Sequence, residues 1–264
     1  MNRLEQIVAY KRVEVAERQQ QLPAAVLEKQ ASKVPPPPSF AAALRRKPGQ
    51  PIRLIAEVKR ASPSRGALAP KLNAAKLAQT YLANGASAIS VLTDERFFCG
   101  SMEDLRRVAE LPESPPVLCK DFILSPYQIL EARAAGAAAV LLIAACLSDD
   151  ELADLYAFTR QNGMDALIEV HTAVELERAL ACQPAVIGIN NRDLTTFEVR
   201  LETALDLVER IPLTVIRVAE SGIRTRRDVS RFSRAGFDAL LIGEVLVTSP
   251  DPGQKVGELL GRGV

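Results

Sequence analysis

From Pro51 onward, short apolar runs alternate with longer helix-like stretches, and that rhythm leaves few architectures open. The runs are Ile52–Val58, Ser87–Leu92, Pro116–Cys119, Ala138–Ala144, Ala166–Val170, Val186–Asn190, Thr214–Ala219 and Ala239–Ile242. They begin at intervals of roughly 20 to 35 residues, the length of one strand–helix unit. Most are continuously apolar rather than alternating, as parallel strands covered on both faces require. Helix starts are signalled at Ser101, Ser125-Pro126, Ser148-Asp149-Asp150 and Thr225, where a hydroxyl can cap the first free amides. Gly85, Gly136, Gly163 and Gly236 stand where those helices should stop. Eight units close a parallel barrel. A doubly wound open sheet would advertise a glycine-rich loop after its first strand. Here that strand runs into Glu57-Val58-Lys59-Arg60-Ala61-Ser62-Pro63-Ser64-Arg65-Gly66 instead. The expected fold is an α/β (β/α)8 TIM barrel of the phosphate-binding type, one domain over residues 1–264. Within it, residues 1–50 form an N-terminal helical extension and residues 51–264 the barrel.

In that extension Leu4, Ile7, Tyr10 and Val13 recur at helical spacing and predict an amphipathic helix ending near Gln21–Pro23. The Pro35–Pro38 run favours polyproline II and reads first as a stiff connector, second as a partner-docking motif. A short helix is predicted over Phe40–Arg46.

Charge and cysteine usage narrow the function classes. Lys and Arg total 33 against 32 Asp and Glu, so no global field recruits nucleic acid or an anionic membrane. The N-terminus is charged throughout and the longest apolar run, Ala134–Leu147, is too short to span a bilayer. Cys99, Cys119, Cys146 and Cys182 have neither zinc nor disulfide spacing. These features read as a reduced, soluble, cytoplasmic protein.

Reactive side chains gather where the predicted strands end: Glu57 and Lys59, Lys120-Asp121, Glu169, Asn190-Asn191-Arg192, Glu220-Ser221-Gly222, Gly243-Glu244. In a closed barrel these ends ring one mouth, where active sites of this fold lie. A single charge after a strand is often only a solvated loop residue; that five of these strands end in Lys, Glu or Asn needs another reason. Glu57 and Lys59, two apart, leave the same face of their strand. Asp121 reads as a local cap or pair, and His171, the one histidine, as structural. The glycines at 222 and 243 let backbone approach an anion after strands seven and eight. Glu244 would then contribute its amide, with its carboxylate turned away. The Ser62–Gly66 loop is a weaker anion signal.

The stretches LIAEVKRASPSRG (54–66), SVLTDERFFCGS (90–101), VLCKDFILSPYQILEARAAGAAAVLLI (117–143), ALIEVHT (166–172), IGINNRDLTTFEV (187–199), VAESGI (218–223) and ALLIGEVL (239–246) resemble, in order, the indole-3-glycerol-phosphate synthases of tryptophan biosynthesis. The resemblance implies a lyase that closes, decarboxylates and dehydrates 1-(2-carboxyphenylamino)-1-deoxyribulose 5-phosphate, without metal or organic cofactor. It implies Lys120, Glu169, Glu57 and Lys59 as catalytic residues, with Lys120 as the general acid. It implies substrate contacts at Ser62, Phe98, Leu141, Asn190, Arg192, Glu220, Ser221, Gly222, Gly243 and Glu244. Phe98 would pack on the anthranilate ring, while its neighbour Phe97 reads as packing. The expected partner is the phosphorylated small molecule, the chain acting as a monomer or weak homodimer, in association with neighbouring pathway enzymes. The rivals are another phosphate-binding barrel enzyme, such as a phosphoribosylanthranilate isomerase, and a non-catalytic barrel scaffold.

Overall fold

The structure is a computed structural model that describes residues 2–63, 65–113 and 115–262. Eight parallel strands form its centre: β1 (Arg53–Val58), β2 (Ala88–Leu92), β3 (Val117–Lys120), β4 (Ala139–Ile143), β5 (Asp165–Val170), β6 (Val186–Asn190), β7 (Ile216–Glu220) and β8 (Ala239–Ile242). They close into a barrel in which every strand pairs with its sequence neighbours and β8 returns to β1, with Arg53 opposite Ala239 and Ala56 opposite Ile242. All eight predicted runs are strands, each displaced by two residues or fewer at an end.

Alternation along the strands sorts the core into two shells. Ile55, Leu118, Leu141, Leu167, Val218 and Leu241 point inward and fill the barrel. Leu54, Ala56, Val58, Val140 and Ile168 point outward and are covered by helices. Helices α4 (Ala74–Ala83), α5 (Glu95–Phe98), α6 (Met102–Ala109), α7 (Pro126–Ala134), α8 (Asp149–Gln161) and α9 (Ala173–Ala181) follow the first five strands, and helices start where the caps predicted. Ser101, Ser125, Ser148 and Thr225 each accept a backbone N–H of the first turn. Gly85, Gly136, Gly163 and Gly236 have left-handed φ just past a helix end, which spares each the Cβ clash an L side chain would meet.

The N-terminal segment wraps the barrel from one end to the other. Helix α1 (Arg3–Gln21) begins over the mouth, where the Arg3 guanidinium donates to the Pro63 carbonyl at 3.2 Å and lies 5.7 Å from the Phe197 ring. The predicted stripe through Leu4, Ile7, Tyr10 and Val13 is only partly right. The buried face is Ile7, Lys11 and Val15, and Val13 is 56% exposed. Lys11 turns the helix: its fully buried ammonium lies 2.8 Å from Asp94 and from Glu14, and 3.0 Å from Asp121. Burial alone would lower its pKa, but those carboxylates hold it above the ordinary lysine value. Asp121 therefore pairs across the fold and not only locally.

A second helix, α2 (Ala24–Ala31), was not foreseen; it packs on α7 (Pro126–Ala134). The proline run follows, with the carbonyls of Val34 and Pro35 accepting from Arg133 of α7 at 2.8 and 3.2 Å. Helix α3 (Phe40–Leu44), two residues shorter than predicted, inserts Phe40 and Leu44 into the end of the barrel opposite the mouth. Asp165 at the start of β5 anchors it by accepting from the Ala41 N–H at 2.9 Å.

Candidate active site

One cavity opens at the carboxyl ends of the strands. Its lining includes every catalytic and substrate-contacting residue that the resemblance implies: Glu57, Lys59, Ser62, Phe98, Lys120, Leu141, Glu169, Asn190, Arg192, Glu220, Ser221, Gly222, Gly243 and Glu244. Ser64, from the weaker anion signal, lies outside the described residues.

The floor is a buried charge cluster. Lys120 ends β3 and sets its Nζ 3.1 Å from Glu169 of β5 and 3.6 Å from Glu220 of β7. Burial would pull this lysine down, but Glu169, Glu220 and Glu57 together hold it above its ordinary pKa, so it stays an ammonium. The two carboxylates diverge. Burial works to raise Glu169, yet the charges of Lys120 and His171 and a hydrogen bond from Asn190 keep it below the usual carboxylate range. Burial, then the charge of Glu169, pushes Glu220 well above it, with Lys120 opposing. One carboxylate is thus ionised and the other protonated a few ångströms apart, a division that suits acid and base work.

Two glycines make this crowding feasible. A Cβ on Gly188 of β6 would collide with the Glu220 carboxylate, and one on Gly243 with the Glu57 carboxylate. Beside the cluster, Lys59 pairs with Glu57 at 2.6 Å. Glu57 on β1 and Lys59 just past its end both reach the cavity, as their two-residue spacing predicts.

The wall is aromatic and apolar. Phe98, on the short helix α5 (Glu95–Phe98) after β2, sits 6.3 Å from Phe122 between ring centroids. Leu141, Ile143, Leu194 and Leu241 continue that surface. Phe97 faces away and meets Tyr10 of α1 edge-on at 5.8 Å, the packing role expected of it.

The rim is basic. Arg65, Arg224 and Arg192 approach the Glu244 carboxylate at 3.1, 3.5 and 4.0 Å. The expectation that this carboxylate turns away needs correcting: it sits among three guanidinium groups, which draw it in. Ser221 and Gly222 follow β7 with φ of 65° and 81°, a left-handed turn that a serine rarely adopts. The Ser62 hydroxyl is buried at this rim without a hydrogen-bond partner among the described residues.

Some lining residues went unforeseen. Phe122 and Phe197 carried no chemical signal, being apolar residues in loops. Arg224, two residues beyond Gly222, was legible as a cation beside a predicted anion turn. Asn190 and Asn191 divide in a way their adjacency hides. Asn190 faces the cavity, whereas Asn191 donates to the carbonyls of Glu220 and Ser221 at 2.9 and 3.1 Å and holds the loop. Among the described residues, no group of three or more His, Cys, Asp or Glu side chains is arranged to hold a metal ion.

Comparison with known proteins places this site in context. A family model described as indole-3-glycerol phosphate synthase matches residues 4–259. A protein of that name from Roseiflexus sp. (strain RS-1) is 49% identical over 265 residues, spanning 98% of each chain. Another from Rhodococcus jostii (strain RHA1) is 48% identical over 263 residues, covering 100% of this chain and 96% of its own. Among solved structures, a 3-hexulose-6-phosphate synthase from Salmonella typhimurium superposes with a TM-score of 0.65 at 10% identity, over 80% of this chain and 97% of its own. That likeness is one of fold alone.

Proposed function

The chain belongs to the indole-3-glycerol phosphate synthase family, and from that premise we propose how its barrel mouth turns a carboxyphenylamino-deoxyribulose phosphate into indole-3-glycerol phosphate, carbon dioxide and water. The observation that carries the reading is the meeting of Lys120 with Glu169 and Glu220 beneath an aromatic wall and a basic rim.

In this reading the anthranilate ring lies against Phe98, with Leu141 beneath it, and the phosphate reaches Arg192, Ser221, Gly222 and Gly243. The ring carbon bearing the carboxylate attacks the ketone. Lys120, an ammonium held charged by its carboxylates, stabilises and protonates the oxygen that develops there. Carbon dioxide then leaves and aromaticity returns. Loss of the new hydroxyl needs a base at carbon and an acid at oxygen. Glu169, ionised, serves as the base; the Glu57–Lys59 pair holds the substrate and carries the complementary proton, and protonated Glu220 keeps Lys120 and Glu169 in register. Asn190 and Ser62 orient polar groups of the sugar. Glu244 contributes backbone, its carboxylate yielding the arginines to the phosphate.

Family membership favours neither an isomerase nor a non-catalytic scaffold. We propose further that the protein is cytoplasmic, works as a monomer or weak homodimer and associates with neighbouring pathway enzymes.

The test is turnover of the substrate followed by indole fluorescence. Lys120→Ala and Glu169→Gln are each expected to lose about 10²- to 10⁴-fold in kcat, the usual worth of a positioned acid or base. A folded wild type without turnover would sink the reading.

A further inference from the structure

His171 is a residue the mechanism above leaves unused, yet it stands directly behind Glu169. Its Nε2 lies 3.4 Å from Glu169 Oε1, and its Nδ1 lies 3.1 Å from Glu175 Oε2. It does not line the cavity; it backs it. Glu175 is fixed in turn at the start of α9 (Ala173–Ala181). There the His171 N–H donates to it at 2.8 Å and the Thr172 hydroxyl at 3.1 Å. The imidazole is 11% exposed and the Glu175 side chain 16%. A carboxylate, an imidazole and a second carboxylate therefore run from near the protein surface to the reacting floor and end on Lys120.

The orientation carries information about protons. An ionised Glu175 only accepts, so it places a proton on Nδ1. Nε2 then faces Glu169 at 3.4 Å, short of a formed hydrogen bond, and a proton carried by the imidazole would close that contact. Every charged group facing the ring acts on this proton. Burial disfavours the imidazolium and Lys120 repels it, but Glu175 and Glu169 outweigh both and hold His171 above the ordinary histidine value. Cys146, from the turn at 144–146, has its thiol pushed up to about 12, by burial first and then by Glu169 and Glu175, and stays neutral.

The overall chemistry creates a need for such a path. The substrate carboxylate leaves as neutral carbon dioxide while a hydroxyl leaves as water. One proton goes to the ketone oxygen as the carbon–carbon bond forms, and a second to the hydroxyl as its carbon–oxygen bond breaks. Only one returns, from the carbon–hydrogen bond broken in dehydration. Each turnover thus takes up one proton while substrate occupies the mouth.

Resting on the proposed function above, we infer that His171 is a positioning residue that acts through Glu169, fixing its carboxylate and, held charged by Glu175, relaying to it the proton each turnover consumes. In the relay the N–H bond at Nε2 of the imidazolium breaks as an O–H bond forms on Glu169; that proton passes on to the Lys120 amine, which has given its own to the ketone, so Glu169 is ionised again for the dehydration, and Nε2 regains a proton from solvent once product leaves, Nδ1 keeping its own throughout.

The experiment compares pH profiles of kcat for wild type, His171→Asn and Glu175→Gln, with circular dichroism melting to establish that each variant is folded. The wild type should lose activity on the alkaline side as His171 gives up its proton. His171→Asn should lose about tenfold or more in kcat with little change in KM. Its alkaline limb should vanish, and its residual rate should rise with the concentration of a small buffer acid such as imidazole. Glu175→Gln keeps the helix cap and should move the limb to lower pH. A folded His171→Asn with the wild-type profile and no dependence on buffer overturns the relay, as does an unmoved limb in Glu175→Gln. Glu169→Gln runs beside them: if it turns over like wild type, the reading of Glu169 itself fails, whereas its inactivity beside an unaffected His171→Asn rejects the relay alone.

Discussion

At the scale of single residues, the rim shows how a site can hold its own competitor. The Glu244 carboxylate occupies the arginine cluster in which an anion would sit, 24% exposed and contacted by three guanidinium groups. Glu244→Gln keeps the shape and removes the charge. Inorganic phosphate is then expected to inhibit about twofold to fivefold more tightly, the worth of a partly exposed ion pair. Competitive inhibition kinetics would measure it, and an unchanged constant would show that the carboxylate does not compete. Residue identities at this scale were legible where chemistry demands a charge: Glu57, Lys120, Glu169 and Glu220 announce themselves by ending apolar runs. The partners of His171 were not legible. Glu169 and Glu175 lie two and four residues away in sequence, but only the turn between β5 and α9 aims the ring at both.

At the scale of elements, the strands and most caps could be read because each is set by local pattern. Helix α1 could be placed but not turned, because its orientation depends on Lys11, a charge buried by partners 83 and 110 positions away, Asp94 and Asp121. Leaving those carboxylates buried without their cation would cost about 3–5 kcal/mol, which is why a polar residue wins the buried face over Val13. The lower half of α1 docks on α7 through a second buried group. Glu131 accepts from Arg18 at 3.0 Å, yet burial, opposed by Arg18, pushes its carboxyl up to about 7. A carboxyl raised on folding holds a proton that the unfolded chain releases near 4.5. Its contribution is full below that value and is lost as pH rises through about 7. Between about pH 5 and pH 8 the Tm of the wild type should therefore fall further than that of Glu131→Gln, whose amide is neutral throughout. Parallel Tm curves would assign the slope to other groups.

At the scale of the whole molecule, the mouth carries the chemistry and the opposite end carries a stopper. Phe40 and Leu44 of α3 are fully buried in the interior shell at that far end. Phe40→Ala should cost about 3–5 kcal/mol in a urea titration while leaving kcat unchanged in the folded protein; a kcat loss with wild-type stability would contradict this separation. The (β/α)8 rhythm made the barrel legible, since eight periodic units admit few closures. The stopper was not legible, because nothing in a five-residue apolar helix says which end of a barrel it enters. Closure also has a bearing on how the chain is made. The seam joins β1 to β8, the first barrel strand to be synthesised and the last. Until β8 emerges, the growing sheet carries two unpaired edges, each a template for another strand. The segment preceding β1 is available throughout that interval, so α1 and α3 can cover apolar surface on the incomplete sheet well before the seam can form. In the finished protein the same segment braces a barrel; during translation it would serve as a shield.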